Sequence, residues 1–79
     1  MIKNIKLFVN SNDKSLETAK LIKDKLIDNG FIIDEDNFHL AIAVGGDGAF
    51  LRMVKQNNFN SDIYYIGINS GTLGFMQEV

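Results

Sequence analysis

Asp47 stands alone among glycines. The run Val44-Gly45-Gly46-Asp47-Gly48 puts one carboxylate into a turn whose neighbours have no side chains to obstruct it. Glycines remove the Cβ atoms that would hold an anion away from the backbone. Free N–H groups at the start of a helix, with the helix dipole behind them, favour phosphate. A carboxylate repels phosphate unless a metal or a proton transfer makes use of it, so Asp47 is the residue in this turn that could do chemistry. The plain alternative is a tight strand-to-helix turn with Asp47 as the helix N-cap, a role Asp often fills. The turn is not a P-loop, because it lacks the spaced Gly-Lys-Ser/Thr ending. Nor does it have the G-x-G-x-x-G spacing of a dinucleotide-binding turn.

The hydrophobic pattern supplies the elements that must hold this turn. Residues 40–44 form a short, continuous apolar run, the signature of a strand buried on both faces. Residues 50–55 take helical spacing, so the turn lies at the carboxyl end of a strand and the amino end of a helix. Open α/β sheets bind ligands there. Residues 5–9 read as a first strand, closed by Asn10-Ser11-Asn12-Asp13. Asp13 or Ser15 could cap the helix that follows, over about residues 15–28. Its expected buried stripe is Leu16, Ala19, Ile22 and Leu26, widened by Leu21 and Ile27, with Lys20 and Asp24 on the wetter side. Gly30 suits the position just past its end. Phe31-Ile32-Ile33 is a short strand, Asp34-Glu35-Asp36-Asn37 an acidic loop, residues 49–56 the next helix, and residues 63–68 the last clear strand. Strands alternating with helical patterns predict an α/β fold: a small open, largely parallel sheet with flanking helices and right-handed crossovers.

Composition narrows the function classes. With 79 residues the chain makes at most one small domain, and its net charge of −2 comes with Lys and Arg scattered among acids. Neither a nucleic-acid surface nor a polybasic membrane surface is indicated. There is no cysteine, which excludes disulfides, a thiol nucleophile and zinc–thiolate sites. His39 is the single histidine, so no histidine cluster can hold a metal, and it reads as a surface or partly packed residue. No signal core and no membrane-length apolar run is present, and a cytoplasmic protein is expected. The chain stops shortly after a second glycine-bearing loop, and so short a sheet has few ways of covering its edges. It is therefore expected to be the front part of a larger protein.

That second loop, Gly67-Ile68-Asn69-Ser70-Gly71-Thr72-Leu73-Gly74-Phe75, also follows a buried strand. If the two strands are parallel, both loops emerge on one rim of the sheet. Read singly, Gly71 and Gly74 give backbone relief in a bend and Phe75 is a core aromatic. Two such loops on one rim, separated by a single helix, make a site.

Together the segments resemble the NAD kinase family. Gly45-Gly46-Asp47-Gly48-Ala49-Phe50-Leu51-Arg52 is similar to its G-G-D-G-T-x-L-R signature, and residues 67–75 to its G-[IV]-N-x-G-x-L-G-F signature. The G-G-D-G core is shared with diacylglycerol, sphingosine and 6-phosphofructo-kinases, so the second signature carries the discrimination. The resemblance covers the amino-terminal domain only. It implies phosphorylation of the 2′-hydroxyl of the adenosine ribose of NAD by ATP (or polyphosphate), giving NADP. Asp47 matches the catalytic aspartate, the proton acceptor for that hydroxyl. Gly46 and Gly48 would let the backbone approach ligand oxygens, Arg52 would reach the nucleotide, and Leu51 and Phe75 would pack on the NAD adenine. The competing reading is a solvated helix residue for Arg52 and a core residue for Leu51 and Phe75. Ala49 stands where the family usually has Thr, and it can neither donate to phosphate nor cap the turn. Magnesium is implied by phosphoryl transfer, although no dedicated ligand set is visible. The family's carboxyl-terminal β-rich domain, with an Asn-Glu motif and further NAD contacts, is absent from this chain; it supports oligomer formation, so a homo-oligomer is implied. Two rivals are a lipid kinase of the diacylglycerol type and a nucleotide-binding sensor without turnover. No basic amphipathic surface supports the first, and Leu73-Gly74-Phe75 argues against it.

Overall fold

Seven elements follow one another along the chain: β1 (Asn4–Val9), α1 (Asp13–Asp28), β2 (Ile32–Ile33), β3 (Leu40–Gly45), α2 (Asp47–Gln56), β4 (Tyr64–Asn69) and β5 (Phe75–Glu78). The structure, a computed structural model, describes residues 3–70 and 75–78. The strands form one sheet in the order β2-β1-β3-β4-β5, with β1 to β4 parallel and β5 antiparallel to β4. From β1 the chain moves outward through α1 to β2, and from β3 it moves the opposite way through α2 to β4. Crossovers of one hand then place the two helices on opposite faces. The expected largely parallel α/β architecture is what forms. β5 was not expected, because a four-residue strand ending in Gln77 and Glu78 carries no readable periodicity. It pairs Ile68 with Phe75 and Gly67 with Gln77, and so occupies the β4 edge that the sequence left bare.

Side-chain alternation divides the central strands between two apolar layers. On one face Ile5, Ile42 and Val44 pack with Ala19 of α1, and Leu7, Val9, Ile22, Leu26, Ile66 and Ile68 close around them. On the other face Ala41, Ala43 and Tyr65 pack with Ala49, Phe50 and Met53 of α2. Buried Gly67 lies beside Ala43 on this second face. Small residues on the strands let α2 come close, and the large side chains of Phe50 and Met53 then fill the space to interior density. At the open side of this layer Phe8 and Phe38 meet edge to face, with ring centroids 6.2 Å apart. The Lys6 ammonium stands over both rings.

Helix α1 is turned from its expected orientation. Its buried residues are Ser15, Thr18 and Ala19, with Ile22 and Leu26 partly buried behind them. Leu16, Leu21 and Ile27 are exposed, at 52%, 63% and 49% of their surface. The spacing 15, 18, 19, 22, 26 is itself a helical stripe, but its first two members are polar and small, so apolar periodicity passes over them. Neither expected residue caps the helix. Asn12 does, its Oδ1 accepting the Ser15 N–H at 2.8 Å, while Asp13 sits in the first turn where the dipole favours an acid. At the other end Gly30 takes φ +87°, as expected of the residue past the helix. Gly30 N–H donates to the Ile27 carbonyl and Phe31 N–H to that of Leu26, at 3.1 and 3.0 Å, which closes a Schellman motif. Among the described residues, no helix is long and apolar enough to cross a membrane.

Met53 is fully buried, whereas Leu21 is largely in water. Met53→Ala is expected to cost about 2–5 kcal/mol of stability, and Leu21→Ala no more than about 0.5 kcal/mol. Denaturant unfolding of both variants checks this. An equal cost would mean that α1 packs through the Leu16 and Leu21 side after all.

Candidate active site

β1 and β3 are neighbours, yet the chain leaves them in opposite directions along the sheet. This is a topological switch point, and the crevice beyond the carboxyl ends of the strands is the place where open α/β sheets bind ligands. Register brings the right segments there. Val9 is level with Val44, and Gly45 with Asn69. Asn10 N–H donates to the Val44 carbonyl at 3.0 Å, and Ser70 N–H to the Gly45 carbonyl at 3.1 Å. The two glycine-bearing loops therefore leave the same rim as far as Ser70. Gly71, Thr72, Leu73 and Gly74 lie outside the described residues.

The turn itself corrects one reading. Gly46, not Asp47, is the N-cap of α2; it is extended (φ −144°), and its carbonyl accepts from Ala49 and Phe50 at 3.1 and 3.2 Å. The helix starts at Asp47, two residues earlier than expected. Asp47 is thus an exposed residue of the first turn, and no side chain caps the helix. The capping role falls away because the chain becomes helical one residue too soon for the Asp47 side chain to reach back. Helix geometry leaves the Asp47 and Gly48 N–H groups without intrahelical acceptors.

The glycines differ in what they do. A Cβ on Gly46 would meet nothing within 4 Å, and one on Gly48 only the Arg52 guanidinium at 4.0 Å. Both therefore open the backbone outward. Gly45 is enclosed: a Cβ there would lie 2.6 Å from Asn10 Nδ2 and 3.1 Å from the Ala49 Cβ, and its φ is +156°.

Arg52 is exposed but not merely solvated. Its guanidinium donates to Asn10 Oδ1, and the pair lines a small cleft of about 110 Å³ with Ala49, Met53 and Gln56. Leu51 does not belong to the core, being 57% exposed on the outer side of α2. It lines a separate apolar groove of about 410 Å³ with Phe59 and Tyr64, and the Asn10–Arg52 cleft does not include it. Phe75 begins β5 opposite Ile68, next to the rim; the direction of its side chain is outside what is described.

Three residues of the rim lie outside the set that the sequence assigns to the site: Asn10, Ser70, and Ser15, which the sequence offers only as a cap of α1. Ser15 is fully buried, its Oγ donates to Ser70 Oγ at 3.0 Å, and Ser70 Oγ lies 3.4 Å from the Gly45 carbonyl. This chain ties the start of α1 to both glycine-bearing loops. The available signal was a hydroxyl at a stripe position of an amphipathic helix. Among the described residues, no group of three His, Cys, Asp or Glu side chains could hold a metal ion.

A family model for the ATP-NAD kinase N-terminal domain matches residues 10–79. The chain belongs to this family. Its relatives include the NAD kinase of Finegoldia magna, 50% identical over 80 residues, which cover 98% of this chain and 29% of that protein. The NAD kinase of Lactococcus lactis subsp. cremoris is 34% identical and that of Streptococcus gordonii 35%, each over 77 residues, 96% of this chain and 28% of the relative. The chain thus spans less than a third of the length of these curated relatives. No solved structure matches it.

In this member of the ATP-NAD kinase N-terminal domain family, the turn glycines should separate by experiment. Gly45→Ala is expected to cost about 1–3 kcal/mol, since it forces Asn10 or Ala49 to move, and part of that loss should return in an Asn10→Ala background. Gly48→Ala should leave stability equal or raise it by up to about 1 kcal/mol, because a helical glycine is being replaced. Thermal unfolding of Gly45→Ala and Gly48→Ala, and of Asn10→Ala with and without Gly45→Ala, provides the measurement. Equal losses at Gly45 and Gly48 would contradict the geometry.

Proposed function

We propose that this chain is the amino-terminal domain of an NAD kinase, which transfers a phosphoryl group from ATP (or polyphosphate) to the 2′-hydroxyl of the adenosine ribose of NAD. The observation that carries the reading is the place of Asp47. In a chain of this family, it is an exposed carboxylate in a glycine turn at the switch-point crevice, among open helix N–H groups. The Arg52 guanidinium lies 4.0 Å from where a Cβ on the next residue, Gly48, would stand.

A ribose hydroxyl is a poor nucleophile. A carboxylate within hydrogen-bond reach orients it and takes its proton as the oxygen attacks the terminal phosphorus and the bond to the leaving phosphate breaks. Asp47 has that role. Gly46 and Gly48 let the ligand approach the backbone, and Arg52 meets phosphate charge. Leu51, free of the core, and Phe75, next to the rim, are assigned to the adenine. Ala49 is buried against Ala41 and Ala43, so position 49 serves packing, and phosphate contacts fall to the backbone and Arg52. Among the described residues no three acidic or histidine side chains come together to hold magnesium, and the ion is assigned to the phosphates of the donor. A carboxyl-terminal β-rich domain completing the NAD pocket, homo-oligomeric assembly and a cytoplasmic setting belong to the same reading. The family match favours NAD over a lipid as the acceptor.

NADP formation from NAD and magnesium-ATP by the full-length protein is the test; a nucleotide sensor would bind without product. In that protein Asp47→Asn should lower turnover by about 10²–10⁴-fold, with NAD affinity little changed. Turnover within a few-fold of wild type would remove the proton-acceptor role. Residues 1–79 alone should form no NADP above a matched Asp47→Asn chain, because in-line transfer needs two substrates held in register. Sustained turnover by the short chain would show the site to be complete within it.

A further inference from the structure

Asn10 has no part in the reaction as derived above, yet it is held from three sides. Its N–H is bonded to the Val44 carbonyl at 3.0 Å. Its side-chain amide rests on Gly45, against the space a Cβ would occupy at 2.6 Å. In front, its Oδ1 accepts from the Arg52 guanidinium. β1, β3 and α2 meet at this one side chain, and Arg52 gains a fixed anchor that an exposed arginine otherwise lacks.

We propose that Asn10 is a positioning residue that orients the Arg52 guanidinium beside the Gly46–Gly48 turn and leaves its charge uncompensated for a phosphate of the nucleotide substrate. The proposal rests on the reading of Arg52 as a nucleotide contact. The amide is the telling choice. An aspartate at this position would grip the guanidinium harder, through a charge-assisted and often bidentate pair, but would cancel the positive charge an anion needs. An alanine would leave the long side chain free to wander. Asparagine accepts one hydrogen bond and carries no charge, so most of the five guanidinium N–H donors stay available. Among the described residues Arg52 makes no ion pair with a carboxylate, and Gly48 leaves open the side of the turn that the guanidinium faces. Gly45 fits the same scheme, because it is the residue whose missing Cβ lets Asn10 lie where it does.

The test is a ladder of Asn10→Ala, Asn10→Asp, Arg52→Ala and the Asn10→Ala/Arg52→Ala pair in the full-length protein. Calorimetry would measure binding of NAD, ATP and inorganic tripolyphosphate, with KM and kcat determined alongside. Asn10→Ala should weaken the ligand that Arg52 contacts by about ten- to a hundredfold, the range for hydrogen bonds to charged groups. Asn10→Asp should weaken it as well, although the Arg52 contact is kept. The double variant should bind no worse than Arg52→Ala. Additive losses in the double variant would overturn the proposal, because Asn10 would then act without Arg52. So would unchanged affinity in Asn10→Ala with only a lower melting temperature, or wild-type affinity in Asn10→Asp. Absence of NADP formation by the wild-type protein would refute the kinase reading instead, and tripolyphosphate binding would still decide the role of Asn10.

Discussion

The rim of this sheet depends on one missing side chain. At Gly45 the end of β3 is approached by Asn10 from β1 and by Ala49 from α2, so closely that a Cβ would fall within 2.6 and 3.1 Å of them. An overlap of that size requires the neighbouring side chains to shift. Filling this point would displace the Asn10 side chain from its seat and press on Ala49 in the first turn of α2, the turn that carries Asp47. The Gly45 carbonyl is committed as well, accepting from the Ser70 N–H and lying near the Ser70 hydroxyl that Ser15 contacts. One residue thus sets the distances among the ends of three strands and the starts of two helices.

The packing of α2 extends the same constraint. Ala41, Ala43, Ala49 and Gly67 form a thin layer, so α2 lies low on the sheet and is anchored by Phe50 and Met53. A helix held close by its inner face presents its first turn at a fixed height above the strand ends. Ligand recognition by backbone N–H groups requires this, since these groups cannot adjust as side chains do. The opposite layer is built differently. α1 meets the sheet through Ser15 and Thr18 at its start and through Ile22 and Leu26 farther along. Its polar end is the one that reaches the rim, where the buried Ser15 hydroxyl finds a partner instead of remaining an unsatisfied group.

Most of the architecture was legible because it rests on period and punctuation. The buried run at residues 40–44, the alternation of strand and helix, and Gly30 after α1 all name their structures through local physics. The errors have physical causes too. Apolar periodicity puts Leu16 and Leu21 inside because it ignores small polar residues, whereas a close helix–sheet contact takes Ser15 and Thr18. Asn12 caps α1, where Asp13 and Ser15 were equally plausible by residue type. β5 forms only because β4 offers it an edge, which no local pattern reveals. At the site, the turn around Asp47 and the shared rim could be read from sequence. Asn10 could not, since its meaning comes from Arg52, 42 positions away in the chain.

Position 49 shows how the two halves of the site divide their tasks. Ala49 is buried beneath the turn, in contact range of the space above Gly45, where the resembled signature would place a threonine. A hydroxyl at so buried a point would need its own partner, or would cost the desolvation of an unsatisfied group. With Ala49 the inner side of the turn is purely a packing surface. On the proposed reaction, phosphate recognition then falls to the outer side, to the N–H groups of Asp47 and Gly48 and to the guanidinium of Arg52. None of these outer groups is movable without cost: the first two are fixed by the low seat of α2, and the third by Asn10. Gly45 would therefore act on anion binding from behind, through the seat it gives to Asn10 and to the first turn of α2.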